Sequence, residues 1–153
     1  MADEALRIIQ SAVPQENPGL VCRNAMVKLP VASPELWFVV KNSPLKYPHD
    51  AATRTITTRI NLVNLGDAQI LTIPGEALPN IGFYLKRKMR GRHNLLFGLT
   101  NDALGYMLTK VDFNSFPRYD YVSRTSLGEM TGEILMEESL KLVEKFPPPA
   151  RRE

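Results

Sequence analysis

One carboxylate, Glu76, stands where chemistry is easiest to place in this chain. It follows the Pro74-Gly75 break at the end of the apolar run Ala68 to Ile73, and ligand sites in α/β sheets gather at the ends of strands. The spacing puts Glu76 at the start of a helix over 77–90, where the positive end of the helix favours a carboxylate. That position equally suits an acid with no role beyond the helix end. Tyr106 is the second candidate, in a short strand expected beside the preceding one. A tyrosine in a short strand also serves as ordinary cross-strand packing. Tyr119 and Tyr121, with Arg118, lie in the loop beyond, where an aromatic side chain can simply cover the edge of a core.

Other chemistries are excluded or reduced by residue type. Cys22 is the only cysteine, which rules out an internal disulfide and a thiolate zinc cluster. Its neighbours Leu20, Val21, Ala25, Met26 and Val27 favour a buried thiol over a nucleophile. His49 and His93 have no ligand spacing and are expected to be solvent-exposed. No HExxH motif, nucleophile elbow or glycine-rich phosphate loop occurs. The net charge is +3, but Lys86, Arg87, Lys88, Arg90 and Arg92 crowd into seven positions. They fall at the C-terminal end of the expected helix, where cations are stabilised without any ligand, and few aromatic residues are interleaved as single-strand binding would require. A nucleic-acid-binding module using residues 86–92 is therefore the weaker reading.

The elements that must carry these residues follow from periodicity. With 153 residues and 44% hydrophobic content the chain suffices for one globular core. Leu6, Ile9 and Val13 predict an amphipathic helix over 3–13, ended by Pro14. Prolines at 14, 18, 30, 34, 44 and 48 mark an irregular region with strands expected near 24–29 and 36–41. Ile56, Thr58, Ile60 and Leu62 alternate with Thr57, Arg59 and Asn61, the period of a half-buried strand. The turn residues Asn64-Leu65-Gly66-Asp67 and the run to Ile73 complete a hairpin. Leu78, Ile81, Leu85 and Met89 form the stripe of the 77–90 helix. Residues 94–99 and 105–109 read as short strands, 110–130 as a connection, and 131–146 as a closing helix. The expectation is a single α/β domain over 1–146, with a small mixed sheet of four to six strands and about three helices, and a disordered tail at 147–153. No apolar run reaches the length of a membrane span and the acidic start lacks the features of an export signal, so the sequence as it stands reads as cytoplasmic.

Two motifs add a likeness. The segment Asn64-Leu-Gly-Asp-Ala-Gln-Ile-Leu-Thr-Ile-Pro-Gly-Glu76 and, after a helix, Phe97-Gly-Leu-Thr-Asn-Asp-Ala-Leu-Gly-Tyr106 resemble the neutral (non-lysosomal) ceramidase family, over about residues 55–143. Members of that family are zinc amidases that cleave the N-acyl bond of ceramide. The resemblance implies that Glu76 and Tyr106 match zinc ligands. It also implies that a tyrosine placed to hydrogen-bond the reacting amide falls at Tyr119; the spacing is one residue longer than the family pattern, which leaves Tyr121 as the substitute.

The departure is as informative. The family's two zinc-ligand histidines and its catalytic serine have no matching segment, so the chain looks like the C-terminal half of that catalytic domain. A catalytic zinc takes three protein ligands and an open position, whereas this half offers one carboxylate and one phenol with a pKa of about 10. The implied reading is a ceramidase-like zinc amidase fragment or split half, inactive alone and completed by a second polypeptide or by self-association, acting on a lipid amide when complete. Its rival is a non-catalytic interaction domain that keeps the fold.

Overall fold

The computed structural model describes residues 1–149. In chain order the elements are α1 (Ala2–Ser11), β1 (Leu20–Pro30), α2 (Pro34–Asn42), β2 (His49–Asp50), β3 (Thr55–Leu65), β4 (Ala68–Thr72), β5 (Glu76–Ala77), α3 (Pro79–Lys88), β6 (His93–Phe97), β7 (Tyr106–Met107), a 3-10 turn (Pro117–Tyr119), α4 (Asp120–Arg124) and α5 (Thr131–Lys145). The main sheet has five strands in the order β1-β3-β4-β6, with β2 pairing β3, and a second sheet joins β5 to β7. The architecture is the expected mixed α/β arrangement.

The hairpin forms as its alternation predicts. β3 and β4 pair antiparallel with Leu62 opposite Leu71 and Val63 opposite Ile70. β4 then pairs β6 in parallel, Ile70 opposite Leu95. Parallel neighbours need a crossover, and α3 is that crossover. The period of two sends Ile56, Ile60 and Leu62 to one face, where they are buried with Val27, Leu29, Leu71 and Ile73 against Ile81, Leu85, Leu135, Leu142 and Val143 of α3 and α5.

Arg90 closes this layer. Its guanidinium donates to the carbonyls of Val143 and Phe146, the end of α5 where backbone oxygens lack helical partners. Gln69, fully buried, accepts from the Arg90 backbone N–H at 3.0 Å and donates to Asn64 Oδ1 at 3.0 Å. Part of the basic run is thus structural, whereas Lys86, Arg87 and Lys88 form the exposed last turn of α3.

The opposite face of the sheet is open. Cys22, Val63, Ile70 and Leu95 form a row across four strands, and Leu65 and Leu95 are each 42% exposed. Cys22 is exposed, not buried as its neighbours suggested, because β1 is an edge strand and even-numbered positions on it face away from α5. His49 and His93 are exposed as expected. α1 begins one residue before the expected helix and ends at Ser11, short of Pro14, with none of its residues buried.

Residues 36–41 are helical, not a strand. Ser33 accepts the Leu36 N–H at 3.2 Å, Pro34 takes the first turn and Glu35 follows it. A side-chain cap and a proline at the helix start outweigh the β preference of Val39 and Val40. The connection 110–130 also holds structure, the 3-10 turn and α4. Of the expected tail, Pro147 accepts from Asn64 Nδ2 at 3.1 Å and Pro149 is buried, while residues 150–153 lie outside the described residues. No helix among the described residues is long and apolar enough to cross a membrane.

Candidate active site

The Pro74-Gly75 break sits where β4 leaves the sheet, and its backbone is bonded almost group by group to residues 97–105. Ile73 N–H donates to Phe97 O (2.8 Å), Thr100 N–H to Ile73 O (3.1 Å), Leu104 N–H to Pro74 O (2.9 Å), Leu99 N–H to Gly75 O (3.0 Å) and Glu76 N–H to Gly105 O (2.9 Å). Proline has no N–H to donate, so Pro74 leaves no donor of its own at the break.

Glycine is required at two points. A Cβ on Gly75 would lie 2.4 Å from Gly105 O, and one on Gly105 would lie 2.1 Å from Thr125 O. Gly105 also has φ +81°, a region in which glycine bears no Cβ penalty. These approaches let β5 and β7 pair in parallel, Glu76 opposite Tyr106 and Ala77 opposite Met107. Leu78 N–H continues the ladder to Met107 O at 3.0 Å. Tyr106 also bridges Ser126 on its other side.

Glu76 therefore lies in a two-residue strand, and α3 begins only at Pro79. The helix-end rationale for its carboxylate does not apply, since Pro79 takes the first helical position and Leu78 is held by the ladder. The residue is exposed, while Tyr106 is half-buried.

The side chains meet as well as the backbones. The Tyr106 phenol is raised above its ordinary pKa by burial first, then by its hydrogen bond with Glu76, by the Glu76 charge and by Tyr121. A carboxylate beside the phenol favours its protonated form. Tyr121 brings its ring edge-to-face onto Tyr106 with centroids 5.9 Å apart.

Tyr119 is placed differently. Its ring meets Phe116 at 5.6 Å, and the Arg118 guanidinium stands 5.5 Å from its centroid. Of the two tyrosines in the 110–130 connection, the ring against Tyr106 is that of Tyr121.

The oxygens of Glu76 and Tyr106 are hard donors of the kind a divalent cation takes. Among the described residues no group of three or more His, Cys, Asp or Glu side chains converges to hold a metal. Two oxygen donors without an imidazole fall short of the three protein ligands of a catalytic zinc, so the residues of this chain alone do not fit that ion.

No family model matches the sequence, and no curated protein matches it. Among solved structures the chain is similar to a neutral ceramidase from Pseudomonas aeruginosa, with 18% identity over 64% of this chain and 17% of that one and a TM-score of 0.48. It is also similar to a ceramidase complexed with C2, with 18% identity over 63% of this chain and 16% of that one and a TM-score of 0.46. The chain spans less than a fifth of the length of either.

Proposed function

We propose that this chain supplies the carboxylate–phenol half of a zinc amidase site, Glu76 and Tyr106 acting as oxygen ligands, and that a second polypeptide completes the site for hydrolysis of an N-acyl amide of the ceramide type. The observation that carries the reading is the β5–β7 register, which sets Glu76 directly opposite Tyr106. The two segments that resemble neutral ceramidases, 64–76 and 97–106, end at these two residues.

The chemistry is consistent with that role. Burial and the Glu76 carboxylate both favour the protonated Tyr106 phenol. A zinc ion held by Glu76, Tyr106 and further ligands would supply Lewis acidity, and its charge would favour loss of the phenolic proton. Glu76 then keeps its place through its backbone bond to Gly105, and Tyr106 through its bond to Thr125 at 3.1 Å. On its own the chain is inactive in this reading, because imidazole ligands and a serine nucleophile come from the partner.

The test is complementation. The chain is mixed with a polypeptide carrying two zinc-spaced histidines and a serine, and release of fatty acid from a short-chain ceramide is measured with each component alone as control. Hydrolysis only by the mixture, abolished in Glu76→Gln, is the expected result; no hydrolysis by a mixture that forms a stable complex overturns the proposal.

A second reading, a non-catalytic interaction domain, is favoured by the open sheet face around Val63, Ile70 and Leu95. In that case Glu76→Gln and Tyr106→Phe leave partner binding unchanged.

A further inference from the structure

We propose that Asn101 is the positioning residue of the Glu76–Tyr106 pair, because its amide locks the 98–104 loop onto the sheet and that loop holds the Pro74-Gly75 break. The inference deepens the proposed function and rests on it for its meaning, though not for its geometry.

Asn101 has φ +76°, a conformation that Asn tolerates better than most side chains. Its Nδ2 reaches the carbonyl of Arg59 at 3.2 Å and the hydroxyl of Thr72 at 3.3 Å. That hydroxyl also accepts the Asn61 N–H at 2.8 Å, so the clamp lies where β3 and β4 stop pairing with one another. The next residue adds a second tie, Thr58 Oγ1 donating to Asp102 Oδ2 at 2.5 Å. Thr58 and Thr72 are buried, which makes these bonds costly to leave unmade.

The loop so fixed is the one whose Leu99, Thr100 and Leu104 amides bind the carbonyls of Gly75, Ile73 and Pro74. The side-chain clamp therefore acts on Glu76 through this hydrogen-bonded backbone. Leu99, also in the left-handed region at φ +50°, is the conformational cost of the loop's path. A free loop of this composition relaxes it, and the clamp prevents that. The Gly-Leu-Thr-Asn motif thereby acquires a physical role: glycine for close approach to Gly75 O, where a Cβ on Gly98 would lie 3.2 Å away, and asparagine for the clamp.

The test compares Asn101→Gly and Asn101→Asp, both compatible with the positive φ and both without the amide donor, with Asn80→Ala as control. Asn80 loses a comparable side-chain pair, to Asp112, away from the site. The full chain is labelled with 3-fluorotyrosine, and the Tyr106 resonance is assigned through Tyr106→Phe. Amide hydrogen exchange is read on the same proteins.

The expected result is a displaced Tyr106 resonance in both Asn101 variants. Exchange at Glu76, Leu99, Thr100 and Leu104 rises by about tenfold, while Ile60 and Leu62 amides stay as in the wild type. Asn80→Ala leaves the Tyr106 resonance in place. An unmoved resonance with unchanged exchange overturns the inference. So does an equal rise at every amide, which reduces Asn101 to a general contributor to stability. A displaced resonance in a chain whose complemented mixture takes up no zinc keeps the positioning role and removes the amidase reading, so the two failures are distinguishable.

Discussion

Gly75 and Gly105 approach so closely that a Cβ on the first would fall 2.4 Å from the carbonyl oxygen of the second. Neither atom belongs to a flexible side chain, so the contact has no means of yielding except by separating β5 from β7. Gly105→Ala adds a clash with Thr125 O and a disfavoured φ. It is expected to destabilise the chain by about 2 kcal/mol or more, read by urea denaturation, and to weaken the Tyr106–Tyr121 ring contact in nuclear Overhauser spectra.

The Tyr106 phenol is held above the ordinary tyrosine value of about 10, mainly by burial and then by Glu76. Of the five tyrosines, Tyr106 is expected to ionise late in an alkaline titration followed by tyrosinate absorbance. Glu76→Gln lowers its midpoint without restoring it fully, because burial remains. The linkage sign is that of a group whose folded-state value is raised. Its contribution to stability is complete below about pH 10 and is lost as pH climbs through the raised value. Tyr106→Phe removes that alkaline loss in a pH series of melting temperatures.

Arg90 is predicted to matter for stability and its basic neighbours are not. Arg90→Ala removes donors to the Val143 and Phe146 carbonyls and is expected to cost about 1–3 kcal/mol in chemical denaturation. Lys86→Ala, on the exposed last turn of α3, is expected to stay within about 0.5 kcal/mol.

Ser33 caps α2 through the Leu36 N–H. Ser33→Ala is expected to cost about 1 kcal/mol, with the loss of protection in hydrogen exchange concentrated on residues 34–42.

Much of the fold is legible where one signal dominates. The β3–β4 hairpin follows from strict alternation ending in Asn64-Leu65-Gly66-Asp67, and α5 from a broad apolar stripe between Gly128 and Pro147. The strand expected at 36–41 fails because a run of Leu, Trp, Phe and Val satisfies either period, and the deciding information is the Ser33-Pro34-Glu35 start. Cys22 fails for another reason: local apolarity cannot tell an edge strand's covered face from its open one. At the site, the two residues that pair are visible as a carboxylate after a break and a tyrosine in a short strand. Their pairing depends on Gly75, Gly98 and Gly105, whose close approaches exist only in three dimensions. The ring contact of Tyr121 with Tyr106 follows a 3-10 turn at Pro117–Tyr119, which no periodicity announces.

Zinc affinity of the complemented pair tests the central claim most directly. Isothermal titration of zinc into the mixture of this chain with the histidine-bearing polypeptide is compared for wild type, Glu76→Gln and Tyr106→Phe. Loss of a residue that merely supports a metal ligand weakens binding by roughly 10–100-fold; removal of a ligand itself is expected to exceed about 100-fold in both variants. Zinc binding of unchanged affinity in either variant contradicts the assignment of that oxygen to the metal.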